Sequence, residues 1–283
     1  MLEDLQFYTY RKCFFPLDSS NPEDSDYFLL GIPFDSTQTG MTGSRNGPSS
    51  IRMASFELEL YDIETRLDLS KVAIYDIGDI DCIPGSPEKT YERILHTIKN
   101  IPSNKTLITL GGEHSITYPI AKELKVDRVV SFDAHPDLRN SYMGVELSHS
   151  SVMRRLHEVG IDIDVIGVRE GSREEAEYAN ENQIPLIPPL DMKDYKVPSN
   201  EDLYISIDLD VFDNLAVGNP VPGGIDFNQF LILLKDIISN NHISGLDIVE
   251  LCSQPNDASS FFSAKLLYKT IAYMEHNKRS TKK

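Results

Sequence analysis

The sequence predicts an α/β fold built on a mostly parallel sheet, and two features of the residue pattern support this prediction. Short, apolar, β-rich runs alternate along the chain with longer amphipathic segments, as they do where strands alternate with crossover helices. Several of the short runs are apolar at every position, which is typical of parallel strands covered on both faces. We expect a single domain over residues 1–283, because no low-complexity linker or internal repeat divides the chain.

Strands and helices are predicted in alternation along the chain. The predicted strands are residues 27–32, 72–77, 106–110, 128–132, 163–167, 203–207 and 243–248. The predicted helices are residues 48–61, 87–100, 116–124, 151–159, 173–182, 227–238 and 258–276. Pro48 and Pro87 begin the first two helices, and proline fits a first turn because its missing N–H would have no partner there.

The other segments are predicted to lack regular structure. Residues 213–224 are rich in proline and glycine and are predicted to form a loop. Residues 1–26 are expected to be irregular and peripheral, and residues 277–283 are expected to fray into solvent.

The composition disfavours several classes of partner. The formal net charge of −17 disfavours nucleic acid, because phosphate binding needs a basic face, and it favours a cationic substrate or metal ions. No apolar run approaches the roughly 18 residues of a membrane-spanning helix, and the acidic N-terminus does not resemble a signal peptide. We therefore expect a soluble cytoplasmic protein with no membrane partner. Cys13, Cys82 and Cys252 are scattered and form no CxxC pair, so we expect core thiols rather than disulfides or a thiolate zinc site.

Hard metal ligands directly follow three of the predicted strands. They are His114 after the strand 106–110, Asp133, His135 and Asp137 after 128–132, and Asp208 and Asp210 after 203–207. The carboxyl ends of parallel strands are where sites assemble in an open sheet. Side chains alternate in extended backbone, so the three residues of the second segment point to one side, as do the two of the third.

Four carboxylates in a small volume repel one another unless cations neutralise them. Four carboxylates and two histidines without a thiolate suit manganese better than a structural zinc site, and so many ligands favour a pair of ions. Such a pair can hold a bridging water and lower its pKa towards neutrality. Taken alone, an Asp-x-Asp sequence is usually a turn, and a histidine after Gly-Gly-Glu usually a cap or core residue. The combination of the three segments favours the metal site.

These segments and several others resemble the ureohydrolase family, which includes arginases, agmatinases and formiminoglutamases. The matching motifs are GGEHS (111–115), FDAHPD (132–137), SIDLD (206–210), PGG (222–224), DIVE (247–250), GIPFD (31–35) and GSRNGP (43–48). The resemblance implies a three-layer α/β/α fold with an eight-stranded, mostly parallel sheet. It also implies two manganese ions per subunit, a small cationic guanidino substrate, and a homo-oligomer, either a trimer or a hexamer.

The resemblance assigns roles to individual residues. One manganese would take His114, Asp133, Asp137 and Asp208, and the other His135, Asp133, Asp208 and Asp210, so that Asp133 and Asp208 bridge. A metal-bridging hydroxide, held by Asp137, would attack the guanidinium carbon, and the leaving amine would then take a proton. Glu250 matches the family's residue that faces the guanidinium, and His149 matches its proton-shuttling histidine. The alternative interpretations are a surface glutamate after a strand and a histidine at a helix start.

The residues that follow Asp137 and surround His149 bear on the identity of the substrate. The runs DLRNSYMG (137–144) and SHSSVMRR (148–155) look most like archaeal-type agmatinases, which implies hydrolysis of agmatine to putrescine and urea. Aminopropylagmatine, formiminoglutamate and arginine remain alternatives, because Arg139 could read a substrate carboxylate or simply brace its loop. A catalytically silent metal-binding or assembly protein of the same fold is the alternative from another class. Asn214 and the short loop 213–220 depart from the usual pattern near the expected mouth of the site.

Overall fold

A nine-stranded sheet forms the centre of the fold. The structure is a computed structural model that describes residues 2–19 and 21–281. The strands of the described residues are β1 Thr9–Tyr10, β2 Tyr27–Ile32, β3 Tyr61–Asp62, β4 Leu67–Asp68, β5 Ile74–Ile80, β6 Thr106–Gly111, β7 Arg128–Phe132, β8 Asp162–Ile166, β9 Leu186–Ile187, β10 Asp202–Asp208 and β11 His242–Val249. Their order in the sheet is β1-β5-β2-β6-β11-β10-β7-β8-β9, with β3 and β4 forming a separate antiparallel pair. Among the described strands of this sheet, β1 at one edge pairs antiparallel with β5. The other eight strands are parallel to one another.

Helices cover both faces of this sheet. They are α1 Leu2–Leu5, α2 Gly47–Ser55, α3 Pro87–Ile98, α4 Thr117–Leu124, α5 Val152–Glu158, α6 Arg173–Asn182, α7 Phe227–Asn240 and α8 Ala258–Thr281. Successive strand residues belong to different apolar cores: Leu29 packs in the core with α2, α7 and α8, and Phe28 in the core with α3, α4, α5 and α6. Each fully buried aliphatic side chain contributes about 1.5–3 kcal/mol through the hydrophobic effect. The predicted three-layer α/β/α architecture is therefore confirmed, with one short strand more than the eight expected.

The register of the central strands places the predicted ligands side by side. Ile207 of β10 lies opposite Phe132 of β7, so the next residues along the chain, Asp208 and Asp133, lie side by side at the carboxyl end of the sheet. Asp208 lies opposite Val249 of β11, the residue before Glu250. The adjacent strands β6, β11, β10 and β7 thus bring the four functional segments that follow them together at the carboxyl end of the sheet.

All seven predicted strands and all seven predicted helices are present, and their bounds differ in places from the predicted ones. The helix predicted over 48–61 ends at Ser55, because the chain then turns into the β3–β4 hairpin, where Asp62 accepts hydrogen bonds from Thr65. The strand predicted over 72–77 runs on to Ile80, because Arg52 neutralises the buried Asp76 and Asp79 at 2.8 and 2.5 Å.

Two expectations for the ends of the chain need correction. In the tail expected to fray, residues 277–281 belong to α8, and Asn277 donates a hydrogen bond of 2.8 Å to the Ile238 carbonyl. The described part of the segment 1–26 is less irregular than expected, since it contains α1 and β1, and Phe15 and Leu17 are buried in the core. Met1 and Ser20 lie outside the described residues. Lys282 and Lys283 lie outside the described residues.

The three cysteines are free and half-buried, so they are less enclosed than the core thiols we expected. Over residues 2–19 and 21–281, no helix is both long and apolar enough to cross a membrane.

Candidate metal centre

One group of ligand atoms surrounds the ring of His114, at the carboxyl end of β6. Its Nδ1 lies 3.1 Å from Asp133 Oδ2, 3.0 Å from Asp137 Oδ2 and 3.4 Å from Asp208 Oδ2. Separations of about 3 Å are those of neighbouring ligands around one octahedral cation with bonds of about 2.1 Å. All four side chains are buried.

A second group lies beside the first and shares Asp133 with it. His135 Nδ1 lies 2.9 Å from Asp210 Oδ2 and 3.7 Å from Asp133 Oδ1. Within the described part of the chain, the sets His114–Asp133–Asp137 and Asp133–His135–Asp210 each bring their ligand atoms within 4.8 Å of one another. The structure therefore brings together all six residues that the sequence singles out as metal ligands.

Two buried atoms at the centre of this cluster, His114 Nδ1 and Asp133 Oδ2, have no hydrogen-bond partner among the residues that the structure describes. The ring of His114 is oriented from behind, because its Nε2 lies 2.9 Å from Ser206 Oγ, whose hydroxyl donates to Asp247 Oδ1 at 2.6 Å. Nε2 must then carry a proton, and Nδ1 is the ring nitrogen that faces the carboxylates. Buried polar atoms are rarely left unsatisfied, so this donor set fits a bound cation.

Backbone amides hold the other oxygens of three carboxylates. Asp133 Oδ1 accepts from the His135 N–H at 2.7 Å, and Asp208 Oδ1 accepts from the Asp210 N–H at 2.9 Å. Asp210 Oδ1 accepts from the Ala134 N–H at 3.0 Å. Each of these carboxylates thus keeps one oxygen fixed and one available to the cluster, which is the preorganisation that a metal site needs.

Crowding and burial change the acidity of the carboxylates. Burial, together with the negative charge of Asp133, raises the pKa of Asp137 to about 7. Burial and the neighbouring Asp210 raise the pKa of Asp208 well above its usual range. Such shifts arise where several carboxylates are buried close together.

The two histidines respond in the opposite way. Burial lowers the pKa of His114, but Asp133 and Asp137 outweigh that effect and raise it well above the usual range. For His135, contacts with Asp133 and Asp210 overcome the effect of burial and raise the pKa to about 11. The cluster therefore attracts positive charge, which protons or metal ions can provide.

Two of the predicted functional residues have left-handed backbone conformations, Asp137 with φ 50° and Glu250 with φ 65°. A non-glycine residue in this region carries strain of about 1–3 kcal/mol. Hydrogen bonds maintain the conformations: the Met153 N–H donates to the Asp137 carbonyl at 3.1 Å, and the Glu250 N–H donates to the Gly112 carbonyl at 2.8 Å. Strain of this kind is concentrated at functional sites, where the surrounding structure fixes a side-chain direction.

Glu250 follows β11 and lies next to the ligand cluster. Its Oε1 accepts from the His114 backbone N–H at 2.8 Å, and its Oε2 accepts from Gln38 Nε2 at 2.7 Å. Burial and the nearby Glu113 raise the pKa of Glu250 to about 8. A cationic group bound in front of it would restore its charge.

His149 begins a short turn before α5 and lines the same cavity as Glu250 and the ligand cluster. Its backbone N–H donates to Thr37 Oγ1 at 3.1 Å, and its Nδ1 lies 3.4 Å from the same oxygen. Its Nε2 lies 3.4 Å from Thr39 Oγ1, and the Tyr142 ring packs edge-on against it at 5.5 Å. Burial and the positive charge of His114 lower the pKa of His149 to about 4, so its imidazole is neutral at pH 7.

A cleft of about 370 Å³ opens over the cluster. Arg139 lines it, with its backbone N–H bonded to the Ser150 carbonyl at 3.1 Å. The Arg139 guanidinium lies 3.7 Å from Glu175 Oε2 and 5.3 Å from the centre of the Tyr142 ring. Asn219, Pro220 and Val221, from the loop predicted over 213–224, form part of the opposite wall.

Several residues of the site were not identified from sequence. Arg169, just after β8, donates hydrogen bonds to the carbonyls of Asp210 and Val221 at 2.7 and 2.6 Å and so ties two strand-end segments together. Thr37 and Gln38 contact His149 and Glu250 from a loop distant in sequence. Ser206 and Asp247, which orient His114, were also missed. Their polar side chains within otherwise apolar strands could have indicated a role at the site.

Comparison with known proteins gives consistent matches. The family model described as "Arginase family" matches residues 25–273. The chain is 38% identical over 276 residues to an agmatinase of Pyrococcus horikoshii, covering 93% of this chain and 97% of the relative. It is 37% identical over 285 residues to an N(1)-aminopropylagmatine ureohydrolase of Thermococcus kodakarensis, covering 96% and 98% of the two chains. The solved agmatine ureohydrolase of Thermoplasma volcanium superposes with a TM-score of 0.85 at 32% identity, covering 94% and 95%.

Proposed function

The chain belongs to the arginase family and is a hydrolase of amidino groups, and on that premise we propose that it hydrolyses agmatine to putrescine and urea with two manganese ions per chain. The observation that carries the proposal is the pair of ligand groups sharing Asp133, with the buried His114 Nδ1 and Asp133 Oδ2 left without partners. The ions would be held by His114, Asp133, His135, Asp137, Asp208 and Asp210. When bound, they would supply Lewis-acid activation of water at neutral pH.

The side chains around the cluster would orient the substrate. The carboxylate of Glu250 is held at both oxygens, so its direction is fixed before a guanidinium arrives. Charge-assisted hydrogen bonds from the guanidinium N–H groups to this carboxylate would bring the reacting carbon over the ligand cluster. The buried Asp137 would accept a hydrogen bond from the attacking water.

The leaving amine must gain a proton when the carbon–nitrogen bond breaks. His149 is the suitable carrier, since its imidazole lines the cleft and can take up a proton and release it there. Its Nε2 lies near Thr39, a residue that lines the cleft. No covalent intermediate with the chain is required.

Agmatine is favoured over formiminoglutamate by the surroundings of Arg139. The guanidinium of Arg139 is already placed between Glu175 and the Tyr142 ring, so bracing the loop accounts for its contacts. N(1)-aminopropylagmatine is the second candidate substrate, because a relative with that activity in its name is 37% identical, almost as similar as the agmatinase.

A screen of product release tests the proposal. Manganese-loaded protein would be incubated with agmatine, N(1)-aminopropylagmatine, arginine and guanidinobutyrate, with urea as the readout, and with formiminoglutamate, with formamide as the readout. We expect the highest kcat/KM with agmatine. Asp133→Ala should abolish release and lower the manganese content, whereas Glu92→Ala, a change at an exposed helix position, should alter neither.

Three outcomes would overturn parts of the proposal. Preference for N(1)-aminopropylagmatine would change the substrate within the same chemistry. Formamide release would reassign the reaction to formiminoglutamate. Tight manganese binding without turnover of any substrate would identify a catalytically silent protein.

A further inference from the structure

The loop that precedes α2 carries Thr37, whose hydroxyl lies between the buried Glu113 and His149. Thr37 Oγ1 donates a short hydrogen bond to Glu113 Oε1, and on its other side it lies 3.1 Å from the backbone nitrogen and 3.4 Å from Nδ1 of His149. Thr37 is separated from His149 by 112 residues in sequence, so only the fold brings them together.

Glu113 determines which way the Thr37 hydroxyl points. Its carboxylate is fully buried and accepts hydrogen bonds from the Thr37 N–H at 2.6 Å and the Ser115 hydroxyl at 2.5 Å. The Gln38 N–H is a further donor to it. The backbone N–H of Thr37 donates to Oε2, and the hydroxyls of Thr37 and Ser115 both donate to Oε1, so the Thr37 hydroxyl hydrogen is directed to Glu113.

With its hydrogen committed to Glu113, Thr37 Oγ1 can only accept on the side of His149. One lone pair takes the His149 backbone N–H, and the other faces Nδ1. The contact with Nδ1 is favourable only if Nδ1 carries the proton. The unprotonated ring nitrogen of neutral His149 is then Nε2, which faces Thr39 at the cleft.

We propose that Thr37, anchored by Glu113, is a positioning residue that fixes the tautomer and orientation of His149, so that Nε2 is the atom that exchanges protons with the leaving amine. This inference rests on the proposed role of His149. In many enzymes a catalytic histidine is oriented by an acceptor that binds its second ring nitrogen. Here that acceptor is the Thr37 hydroxyl, which lies between the Glu113 carboxylate and the His149 ring. Loss of the acceptor leaves the ring free to adopt the other tautomer, in which Nε2 cannot accept a proton.

A double-mutant cycle tests this inference. Thr37→Val keeps the β-branched shape and removes the acceptor, so kcat with the best substrate should fall about tenfold with little change in KM. Thr37→Ser should restore kcat to within about twofold of the original chain, because the hydroxyl returns. In a His149→Ala background, Thr37→Val should cause no further loss, since its effect acts through His149.

Ser36→Ala is the matched control, because the Ser36 hydroxyl in the same loop accepts from the Gly85 N–H at 2.9 Å instead. It should retain full kcat, and all variants should keep the manganese content of the original chain. An unchanged kcat in Thr37→Val would overturn the inference alone and leave the proposed reaction intact. A further loss in the His149→Ala background, or no rescue by serine, would show that Thr37 has only a structural role. Unchanged kcat in His149→Ala itself would remove the proposed proton carrier and this inference with it.

Discussion

Glu250 combines a strained backbone, burial and a carboxyl group whose two oxygens are both hydrogen-bonded. Its backbone is left-handed, and its two carboxylate oxygens accept from the His114 N–H and Gln38 Nε2. Gln38 is itself oriented, because its Oε1 accepts from the Ser44 hydroxyl at 3.1 Å, which turns Nε2 towards Glu250. A carboxylate with this surrounding is preorganised to meet a planar cation, which a surface glutamate after a strand is not.

Glu250→Gln should weaken the binding of the guanidinium more than it slows the bond-breaking step. Hydrogen bonds to charged groups contribute about 1.5–3 kcal/mol, so KM should rise roughly 10- to 100-fold while kcat falls less. Steady-state kinetics of urea release at fixed manganese provide the measurement. Unchanged KM would show that Glu250 does not contact the substrate.

At the scale of elements, β10 and β11 supply the hydrogen bonds that orient His114 in the proposed metal centre. Asp247 of β11 accepts from Ser206 and Tyr204 of β10 at 2.6 and 2.8 Å and from Thr117 of α4 at 2.7 Å. Ser206 then accepts from His114, so the direction of one ligand depends on the pairing of two strands and a helix.

Ser206→Ala should reduce manganese affinity about 10- to 100-fold, as changes to residues that orient a metal ligand typically do. Ser131→Ala is the matched control, because Ser131 lies opposite Ser206 in the neighbouring strand and its buried hydroxyl has no partner. Manganese titration of the two variants is the readout. Equal affinities would mean that the hydroxyl of Ser206 does not orient His114.

The elements also show where sequence reasoning ends. Continuous apolar runs predict the inner strands closely, because strands buried on both faces leave that pattern. The two residues of β9 lie between Pro185 and Pro188 and are too few for any periodicity. Strand-end position indicates the ligands, but the contacts of Thr37 and Arg169 depend on tertiary packing between distant segments, which local sequence does not encode.

For the whole molecule, the metal centre should couple pH to stability. Without metal, the folded chain keeps protons on Asp137 and Glu250, whose pKa values are raised to about 7 and about 8, mainly by burial. It also keeps one on His135, whose pKa burial lowers but neighbouring aspartates raise to about 11. The unfolded chain has released the carboxyl protons by pH 6.5 and releases the histidine proton near that value. The folded state therefore binds more protons between about pH 6.5 and 8.

Metal-free protein should consequently lose stability as pH rises from about 6.5 to 8, with the melting temperature falling across that window. Manganese-loaded protein should show the opposite trend, because metal binds the deprotonated ligands and binds only the folded chain. Thermal unfolding of chelated and manganese-saturated samples at several pH values measures both slopes. Parallel slopes would indicate that these groups do not hold the metal.

The proposed two-metal centre is tested most directly by anomalous X-ray scattering from crystals of the manganese-loaded protein. We predict two anomalous peaks about 3.5–4 Å apart, with Asp133 contacting both. One of them should lie beside His114 and the other beside His135. A single peak, or peaks distant from these side chains, would contradict the proposed centre and the chemistry that depends on it.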